Sequence, residues 1–252
     1  MNTKIFMLGT GAAIPMKRML PCICIKVDSN LYVFDIGEGC QKTMLEMGLS
    51  PVKIRAIFVT HLHGDHYLGI FGLLQTMHLM SREKELLIIG PGKLSNILNA
   101  YASSGLLNID FPLYFEPLHE GTVYRDDKIA VSSFLVDHIP SSYGYVIDII
   151  KNNKRITYTG DTRPCHSIVD NSKNVDVLIH ESTFTSDMAE EAHAQGHSTA
   201  LDAAMAAVNA KAKLLVLTHI SARYDDPLEL YRDASRIFSN VIVAEDRMVI
   251  YL

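Results

Sequence analysis

Four side chains of metal-binding type lie within six residues, in the segment His61-Leu62-His63-Gly64-Asp65-His66. The apolar run Ile54–Val59 comes just before it, and such a run is typical of a buried strand. In an extended chain the first two histidines can grip one ion, and the glycine lets the backbone turn so that the last two ligands face a second ion. Imidazole and carboxylate ligands suit zinc, and also iron or manganese. The segment therefore predicts a metal centre.

Strand ends elsewhere in the chain carry the same kinds of side chain. Six predicted strands end in a histidine or an aspartate, namely Asp35, His61, His138, Asp161, His180 and His219. In layered α/β folds the carboxyl ends of strands meet at one edge of the sheet, where ligands bind. Taken singly, each of these residues is explained as a polar residue at the point where the chain leaves the core. Six of them together indicate one active edge.

The elements that must position these residues are short apolar runs separated by turns and helical patterns. Ten runs predict strands: Ile5–Leu8, Leu31–Phe34, Ile54–Val59, Leu86–Ile89, Ile129–Val136, Ile156–Tyr158, Val175–Ile179, Leu214–Leu217, Val241–Ala244 and Met248–Leu252. Four segments predict helices: Cys40–Met47, Leu68–Met80, Leu94–Ser103 and Ser198–Ala210. Strands and helices are mixed throughout and no linker divides them, so we expect an α/β or α+β fold in one domain over residues 1–252.

The composition is that of an ordinary globular protein. The chain has 252 residues, is 48% hydrophobic and 20% charged, and carries a net charge of −5. These values exclude a disordered or fibrous protein. No apolar run approaches the ~20 residues of a membrane helix. The net negative charge argues mildly against a nucleic-acid partner, although a local basic patch can outweigh it.

Two features of the sequence favour a cytoplasmic protein. The N-terminal apolar run stops at Gly9, too early for a secretory signal. The four cysteines, Cys22, Cys24, Cys40 and Cys165, are too few and too scattered for a disulfide framework, so we expect reduced thiols.

The segment Thr60–Gly69 resembles the signature of the metallo-β-lactamase superfamily, a four-layer αββα sandwich with a dinuclear site at the sheet edge. The resemblance implies that the first metal is held by His61, His63, His138 and Asp161. It implies that the second is held by Asp65, His66, His219 and the same bridging Asp161. The expected cofactor is two Zn²⁺ per subunit, with Mn²⁺ or iron as alternatives.

Within that superfamily the chain resembles the ribonuclease Z family, which processes the 3′ ends of tRNA. The resemblance rests on seven separated motifs: Leu8–Gly11, Phe34–Gly39, Gly69–Leu74, Gly160–Pro164, His180–Phe184, Gly196–Ala200 and His219–Tyr224. It implies a zinc-dependent endoribonuclease that removes the 3′ trailer of precursor tRNA by attack of a metal-activated hydroxide on the phosphodiester. We expect a homodimer and no membrane association.

The catalytic roles follow from the same chemistry. Asp65 is expected to bind metal and accept the nucleophile's proton, and His197, oriented by Glu181, is expected to protonate the leaving oxygen. On spacing alone, the latter two residues are equally explained by a structural hydrogen bond between a loop and a helix start. Ser221 and Arg223 are candidate ligands for the substrate phosphate.

Two further side chains at strand ends are expected to support the site without binding metal. Asp35 is expected to accept a hydrogen bond from the outer N–H of a ligand histidine. Arg163 is expected to pair with a carboxylate at the sheet edge.

Two segments depart from the family pattern. The residues Ile150–Arg155 form only a hairpin turn where the family inserts a tRNA-binding arm, and the loop that senses the RNA 3′ end keeps only Lys17 and Arg18. Because of these departures, a phosphodiesterase for small or cyclic nucleotide esters is an alternative function. A thioester or lactam hydrolase and an inactive RNA- or metal-binding relative are weaker alternatives, the last because no ligand position is missing.

Overall fold

A computed structural model describes residues 3–106 and 109–252 of the chain. Its contacts divide the chain into two compact units. The first unit comprises Met1–Leu118 and Asp246–Leu252, and the second comprises His119–Glu245. Each unit is built on a seven-stranded sheet of described residues.

The elements alternate irregularly along the chain. The strands are β1 (Thr3–Gly9), β2 (Cys22–Val27), β3 (Asn30–Phe34), β4 (Ile54–Phe58), β5 (Leu86–Gly90), β6 (Leu113–Pro117), β7 (Gly121–Arg125), β8 (Ile129–Leu135), β9 (Tyr143–Ile149), β10 (Lys154–Tyr158), β11 (Val177–Glu181), β12 (Leu214–Thr218), β13 (Val241–Val243) and β14 (Met248–Tyr251). The helices are α1 (Cys40–Glu46), α2 (Gly64–Tyr67), α3 (Gly69–Leu79), α4 (Lys93–Ser103), α5 (His166–Asn171), α6 (Ala189–Gln195), α7 (Ala200–Ala210) and α8 (Leu228–Ser235). Short 3-10 helices cover Pro51–Lys53 and Ser186–Met188.

In the first unit the sheet order is β14-β1-β2-β3-β4-β5-β6. Strands β3 to β6 are parallel, and Phe34 lies opposite Phe58 in the register of β3 and β4. Their rings stack with centroids 4.6 Å apart in the core. Because these parallel strands end side by side, Asp35 and the residues that follow β4 emerge at the same edge.

In the second unit the sheet order is β13-β12-β11-β10-β9-β8-β7. Strands β10 to β13 are parallel, and β9 is antiparallel to both β8 and β10. Strands β8, β10, β11 and β12 therefore run in the same direction. Their carboxyl ends deliver His138, Asp161, Glu181 and His219 to one edge.

Helix α7 packs on this second sheet through small side chains. Five of its alanines are buried, and all of them except Ala210 lie in a cluster with Leu215 and Leu217 of β12. Its N-terminus carries a capping box, in which Thr199 and Asp202 satisfy each other's backbone N–H groups. The helix predicted over Ser198–Ala210 is thus confirmed, with its cap at Thr199.

The mixed α/β class is confirmed, and each of the ten predicted strands corresponds to a strand of the structure. The ten runs omitted β2, β6, β7 and β9, and the helical segments omitted α2, α5, α6 and α8. Strand β6 alternates half-buried and exposed residues, and β7 is largely exposed, so neither has an apolar run. The prediction of one domain over residues 1–252 stays a prediction.

The expectation of four reduced cysteines is wrong for two of them. Cys22, at the start of β2, and Cys40, at the start of α1, form a disulfide. They are 18 residues apart in sequence, and only the folded chain brings their Cα atoms to 6.4 Å. Cys24 and Cys165 are thiols, and burial raises the pKa of Cys24 to about 12.

The turn between β9 and β10 is as short as the sequence predicts. Ile149 pairs with Lys154 in the antiparallel register, so four residues complete the turn and no arm is inserted. Among the described residues, no helix is both long and apolar enough to cross a membrane.

Candidate active site

The segment after β4 forms a compact group of metal-binding side chains in the first unit. The ring centroids of His61 and His63 lie 4.8 Å apart, and those of His61 and His66 lie 4.1 Å apart. Asp65 and His66 lie on α2, with Asp65 Oδ2 3.7 Å from His66 Nε2. The same carboxylate oxygen accepts the backbone N–H of Ala13 at 2.9 Å. The four side chains that the sequence singled out are thus brought together.

Asp35 and Thr60 orient two of these histidines from behind. Asp35 Oδ2 lies 2.8 Å from His66 Nδ1, as predicted for its role toward a ligand histidine. The hydroxyl of Thr60 donates to the Asp35 carboxylate at 2.9–3.0 Å and lies 3.0 Å from His61 Nδ1. Since its hydrogen is already used, the Thr60 oxygen accepts from His61 Nδ1–H.

Asp161 occupies the centre of the second unit's group. Its Oδ2 atom lies 3.3 Å from His219 Nε2 and 3.9 Å from His138 Nε2. A carboxylate oxygen between two imidazole nitrogens suits the bridging role that the resemblance implies. Asp161, His197 and His219 each offer a ligand atom within 4.8 Å of the other two, so His197 also lies within reach of a metal.

His138 is oriented by a backbone carbonyl. Its Nδ1–H donates to the carbonyl oxygen of Gly196 at 2.7 Å. Gly196 ends α6 in the left-handed conformation at φ 88°, and a Cβ there would lie 2.7 Å from His138 Nδ1. Glycine is required here for both reasons.

Glu181 is fully buried and accepts four hydrogen bonds. Its Oε1 atom accepts from Thr162 N at 2.9 Å and from His197 Nδ1 at 2.8 Å. Its Oε2 atom accepts from the backbone N–H and the hydroxyl of Thr183 at 3.1 and 2.7 Å. Burial acts to raise the pKa of Glu181, but the charge of His197 and its hydrogen bond outweigh burial and hold the pKa below its usual value. The predicted pairing of Glu181 with His197 is therefore present.

The Thr183 hydroxyl also contacts His219. The distance from Thr183 Oγ1 to His219 Nδ1 is 2.8 Å. Because the hydroxyl hydrogen goes to Glu181, its oxygen accepts from His219 Nδ1–H. This repeats, in the second unit, the arrangement of Thr60 with His61.

The residues present fit divalent metal ions. In four candidate ligands, namely His61, His66, His138 and His219, a protein acceptor contacts Nδ1. The Nε2 atom of each then carries the lone pair that binds a metal, which is how ligand histidines are usually held. The Asp and His donor set matches zinc, manganese or iron.

Two of these site residues have an unusual backbone. Asp35 at φ 56° and His219 at φ 55° adopt the left-handed conformation, which is uncommon for residues other than glycine. Such strain costs on the order of 1–3 kcal/mol and concentrates at functional sites.

The candidate phosphate ligands lie together in the second unit. Arg223 Nε lies 3.2 Å from Ser221 Oγ, and its guanidinium lies 4.5 Å from the centre of the Phe184 ring. Glu191 lies 3.6 Å from the same guanidinium. As predicted, Arg163 pairs with a carboxylate at the sheet edge, that of Asp137 at 3.3 Å.

The two candidate RNA contacts lie in the first unit, in the loop before β2. Lys17 is exposed. Arg18 is half-buried and donates to the hydroxyl of Thr10 at 2.7 Å, so its guanidinium also has a structural role.

Sequence reasoning missed the roles of Thr60, Thr183 and Gly196. Each lies inside or beside a motif that was singled out, but only the ligands and the acid received roles. The available signal was a threonine one residue before His61 and another two residues after Glu181, where a short hydroxyl can reach a neighbouring ring.

Comparison with known proteins shows the family to which this chain belongs. A family model described as "Anti-Pycsar protein Apyc1" matches residues 3–224. The ribonuclease Z of Sulfurisphaera tokodaii is 36% identical over 289 aligned positions, which cover 96% of this chain and 95% of that protein. This chain belongs to the family of ribonuclease Z and Apyc1.

Solved structures of relatives agree with this family membership. The crystal structure of human tRNase Z, short form, is 30% identical, with a TM-score of 0.85 and 98% of each chain covered. The metallo-β-lactamase fold protein YhfI from Bacillus subtilis has a TM-score of 0.87 at 20% identity, covering 100% of this chain and 99% of that one. The predicted metallo-β-lactamase fold and the resemblance to ribonuclease Z are confirmed. This family member is a hydrolase, and its His and Asp clusters are compatible with metal binding.

Proposed function

We propose that this protein is a dinuclear zinc phosphodiesterase that removes the 3′ trailer from precursor tRNA. The observation that carries the proposal is the anchoring of Nδ1 in four histidines, which leaves each Nε2 able to bind a metal. Family membership with ribonuclease Z supports the substrate. The proposed metal ligands are His61, His63, Asp65, His66, His138, Asp161 and His219, with Asp161 shared between two ions.

The remaining chemistry belongs to the chain's own side chains. Bound divalent ions lower the pKa of water and neutralise charge on the phosphoryl oxygens. Asp65 has one oxygen fixed by Ala13 N–H, and its carboxylate accepts the proton of the nucleophile. Glu181 holds His197 by Nδ1, which leaves His197 Nε2–H to protonate the leaving oxygen.

The proposal extends to the RNA contacts and the assembly. Ser221 and Arg223 bind the scissile phosphate, and Lys17 and Arg18 contact the 3′ end of the RNA. The protein acts in the cytoplasm as a homodimer of one-domain subunits, in which one subunit's basic edge extends the other's cleft. The alignment with ribonuclease Z over 96% of this chain supports the one-domain subunit.

Three observations favour a second candidate, hydrolysis of small or cyclic nucleotide esters. The β9–β10 turn lacks an arm. The alignment with ribonuclease Z runs over 289 positions although this chain has 252 residues, so that relative carries segments that this chain lacks. A net charge of −5 also gives little attraction for a polyanion.

The test compares substrates on one preparation of metal-loaded protein. Precursor tRNA with a 3′ trailer, cyclic nucleotides and bis(p-nitrophenyl) phosphate are each incubated with the wild type and with His197→Ala. His193→Ala is the matched control, because His193 lies close by in sequence and pairs with Asp202 rather than Glu181. Cleavage of the tRNA at the trailer junction, lost in His197→Ala and kept in His193→Ala, is the expected result. Turnover of only the small or cyclic esters would replace the tRNA proposal by the second candidate.

A further inference from the structure

A separate cavity lies in the second unit, and none of the proposed metal ligands lines it. Its volume is about 300 Å³. The residues around it belong to the segment before and within α5, to the end of β11 and to α7. They are Pro164, Cys165, His166, Ile168, Val169, His180, Asp202, Met205, Ala206 and Asn209.

His180 lines the cavity and has one ring nitrogen without a hydrogen-bond partner among the described residues. Its side chain is 1% exposed, and Nδ1 lies 2.6 Å from the carbonyl oxygen of Glu181. A carbonyl only accepts, so Nδ1 carries the hydrogen and Nε2 carries a lone pair. Within residues 3–106 and 109–252, this buried Nε2 has no hydrogen-bond partner. Buried acceptors normally receive a hydrogen bond, so we expect a bound donor at this atom.

The protonation state of His180 makes it an acceptor. Burial lowers the pKa of His180 and keeps the ring neutral near pH 7, against the opposing pull of Glu181 and Asp202. A ligand must therefore bring its own N–H or O–H to Nε2.

The residues that line the cavity restrict the polarity and the charge of the ligand. Ile168 is buried, Ala206 is half-buried and Met205 is 48% exposed, so an apolar inner wall leads to an open mouth. The Asp202 carboxylate, which accepts from Thr199 and His193, places negative charge at the wall and disfavours an anion. A phosphodiester substrate is thus the wrong kind of ligand for this cavity.

Metal binding does not explain the cavity. Cys165, His166, His180 and Asp202 are of ligand type, but the metal-capable groups found in the described part of the chain include none of them. We propose that the cavity binds a compact, uncharged heteroaromatic molecule that donates one N–H hydrogen bond to His180 Nε2.

The test uses two ligands of nearly equal shape on the full-length, metal-loaded protein. Indole offers an N–H donor, and benzothiophene replaces that group by sulfur. Binding of each is measured by calorimetry, and the His180 ring nitrogen signals are followed by NMR with 15N-labelled histidine. Because benzothiophene leaves the buried acceptor unsatisfied, indole should bind at least about tenfold more tightly and shift the Nε2 signal of His180.

Two variants and one control variant make the result specific to the cavity. His180→Phe should remove the preference for indole, so that both ligands bind equally. Met205→Trp should block the cavity from its open side and abolish binding of both. Val208 lies on the same helix, is 43% exposed and is outside the cavity lining, so Val208→Trp should bind indole as the wild type does.

Three outcomes would overturn the proposal. One is no binding of indole by the wild type or by Val208→Trp. Another is equal affinity for indole and benzothiophene in the wild type. The third is an indole affinity in Met205→Trp equal to that of the wild type. Because Met205→Trp keeps His180, this third outcome does not depend on whether His180→Phe folds.

Discussion

The hydroxyl of Thr183 connects the proposed acid catalyst with a proposed metal ligand. It donates to Glu181 Oε2 at 2.7 Å and accepts from His219 Nδ1 at 2.8 Å. One small side chain thereby fixes both the carboxylate behind His197 and the ring orientation of His219. A hydrogen-bonding partner behind a ligand histidine typically contributes 10–100-fold in metal affinity or activity.

Thr183→Val should weaken metal binding and turnover together, because valine keeps the shape of threonine and loses both side-chain hydrogen bonds. We expect a decrease of about 10–100-fold in zinc affinity, measured by titration against a competing chelator. Thr185→Val is the matched control, since its hydroxyl contacts Asp187 and Tyr224. Zinc affinity equal in the two variants would contradict the role assigned to Thr183.

The role of His197 as the acid is tested by comparing rate losses on esters with different leaving groups. His197→Ala should keep both metals and lose roughly 10²–10⁴ in rate on alkyl-type phosphodiesters, because the leaving alkoxide then departs unprotonated. The loss should shrink on a p-nitrophenyl ester, whose leaving group needs no proton. Because His197 also lies within reach of a metal, the metal content of His197→Ala shows whether His197 is a metal ligand. Equal losses on both esters, or loss of one metal, would show that His197 is not the acid.

Residue type and spacing predicted many of the side-chain contacts in the site. The predicted pairing of Glu181 with His197 is present. Asp35 contacts a ligand histidine and Arg163 pairs with a carboxylate, as predicted, although the sequence did not specify that these partners are His66 and Asp137. The hydroxyl contacts of Thr60 and Thr183 were not predictable in the same way. They depend on local backbone geometry, including the left-handed turns at Asp35 and His219, which residue type alone does not specify.

At the scale of elements, Asp176 joins three segments at the start of β11. Its carboxylate accepts from Lys154 Nζ at 3.1 Å, from Arg155 N at 2.9 Å and from Lys213 Nζ at 2.9 Å. Burial acts to raise the pKa of Asp176, but these donors outweigh it and lower the pKa from 3.8 to about 2. The ionised form therefore stabilises the packing of β10, β11 and β12.

Asp176→Asn should lower the free energy of unfolding by about 1–2 kcal/mol at pH 7, after allowance for solvent screening. The folded-state pKa is depressed, so the contribution is complete above the unfolded pKa near 4 and is lost as the pH falls toward 2. Urea denaturation between pH 7 and pH 3 should show the wild-type advantage shrinking below about pH 4.

Asp170→Asn is the control for this measurement. Asp170 forms an exposed pair with Lys173, so its loss should change stability by less than about 0.5 kcal/mol. An advantage of Asp176 that stays constant down to pH 3 would contradict the account.

Periodicity predicted elements well where burial is strong and poorly where it is weak. Strand β4 is apolar at every position except Arg55, because a parallel strand between two neighbours is covered on both faces. Strand β6 lies at the edge of the first sheet, so its residues are half-buried or exposed and form no continuous apolar run. The Cys22–Cys40 disulfide escaped prediction because it depends on how β2 and α1 pack.

At the scale of the whole molecule, the predicted RNA affinity rests on few basic groups. These are Lys17, Arg18, Lys151, Lys154, Arg155 and Arg223. Arg155 and Lys154 already pair with Asp148 and Asp176, so they have less charge to offer a phosphate. Each phosphate contact contributes about −0.7 to −0.9 to the slope of log affinity against log salt. Binding of precursor tRNA should therefore be weak, with a shallow slope.

Replacing both Lys17 and Arg18 by alanine should reduce the magnitude of that slope by about 1–2, because two phosphate contacts are lost. The measurement is precursor-tRNA affinity at several salt concentrations. Lys84→Ala serves as control, since Lys84 precedes β5 at the opposite end of the parallel strands from His61. If neither salt nor the double substitution changes affinity, RNA is not bound through these groups, and the small-ester phosphodiesterase becomes the better account.

The proposed phosphodiesterase activity requires that the His and Asp side chains hold two metal ions. The most direct measurement is elemental analysis of the protein purified without chelator, before and after incubation with zinc, manganese or iron. We predict about two ions per chain in the wild type and fewer in His63→Ala, because loss of one imidazole opens the first site. A wild-type content that stays near zero after metal is added would contradict the claim.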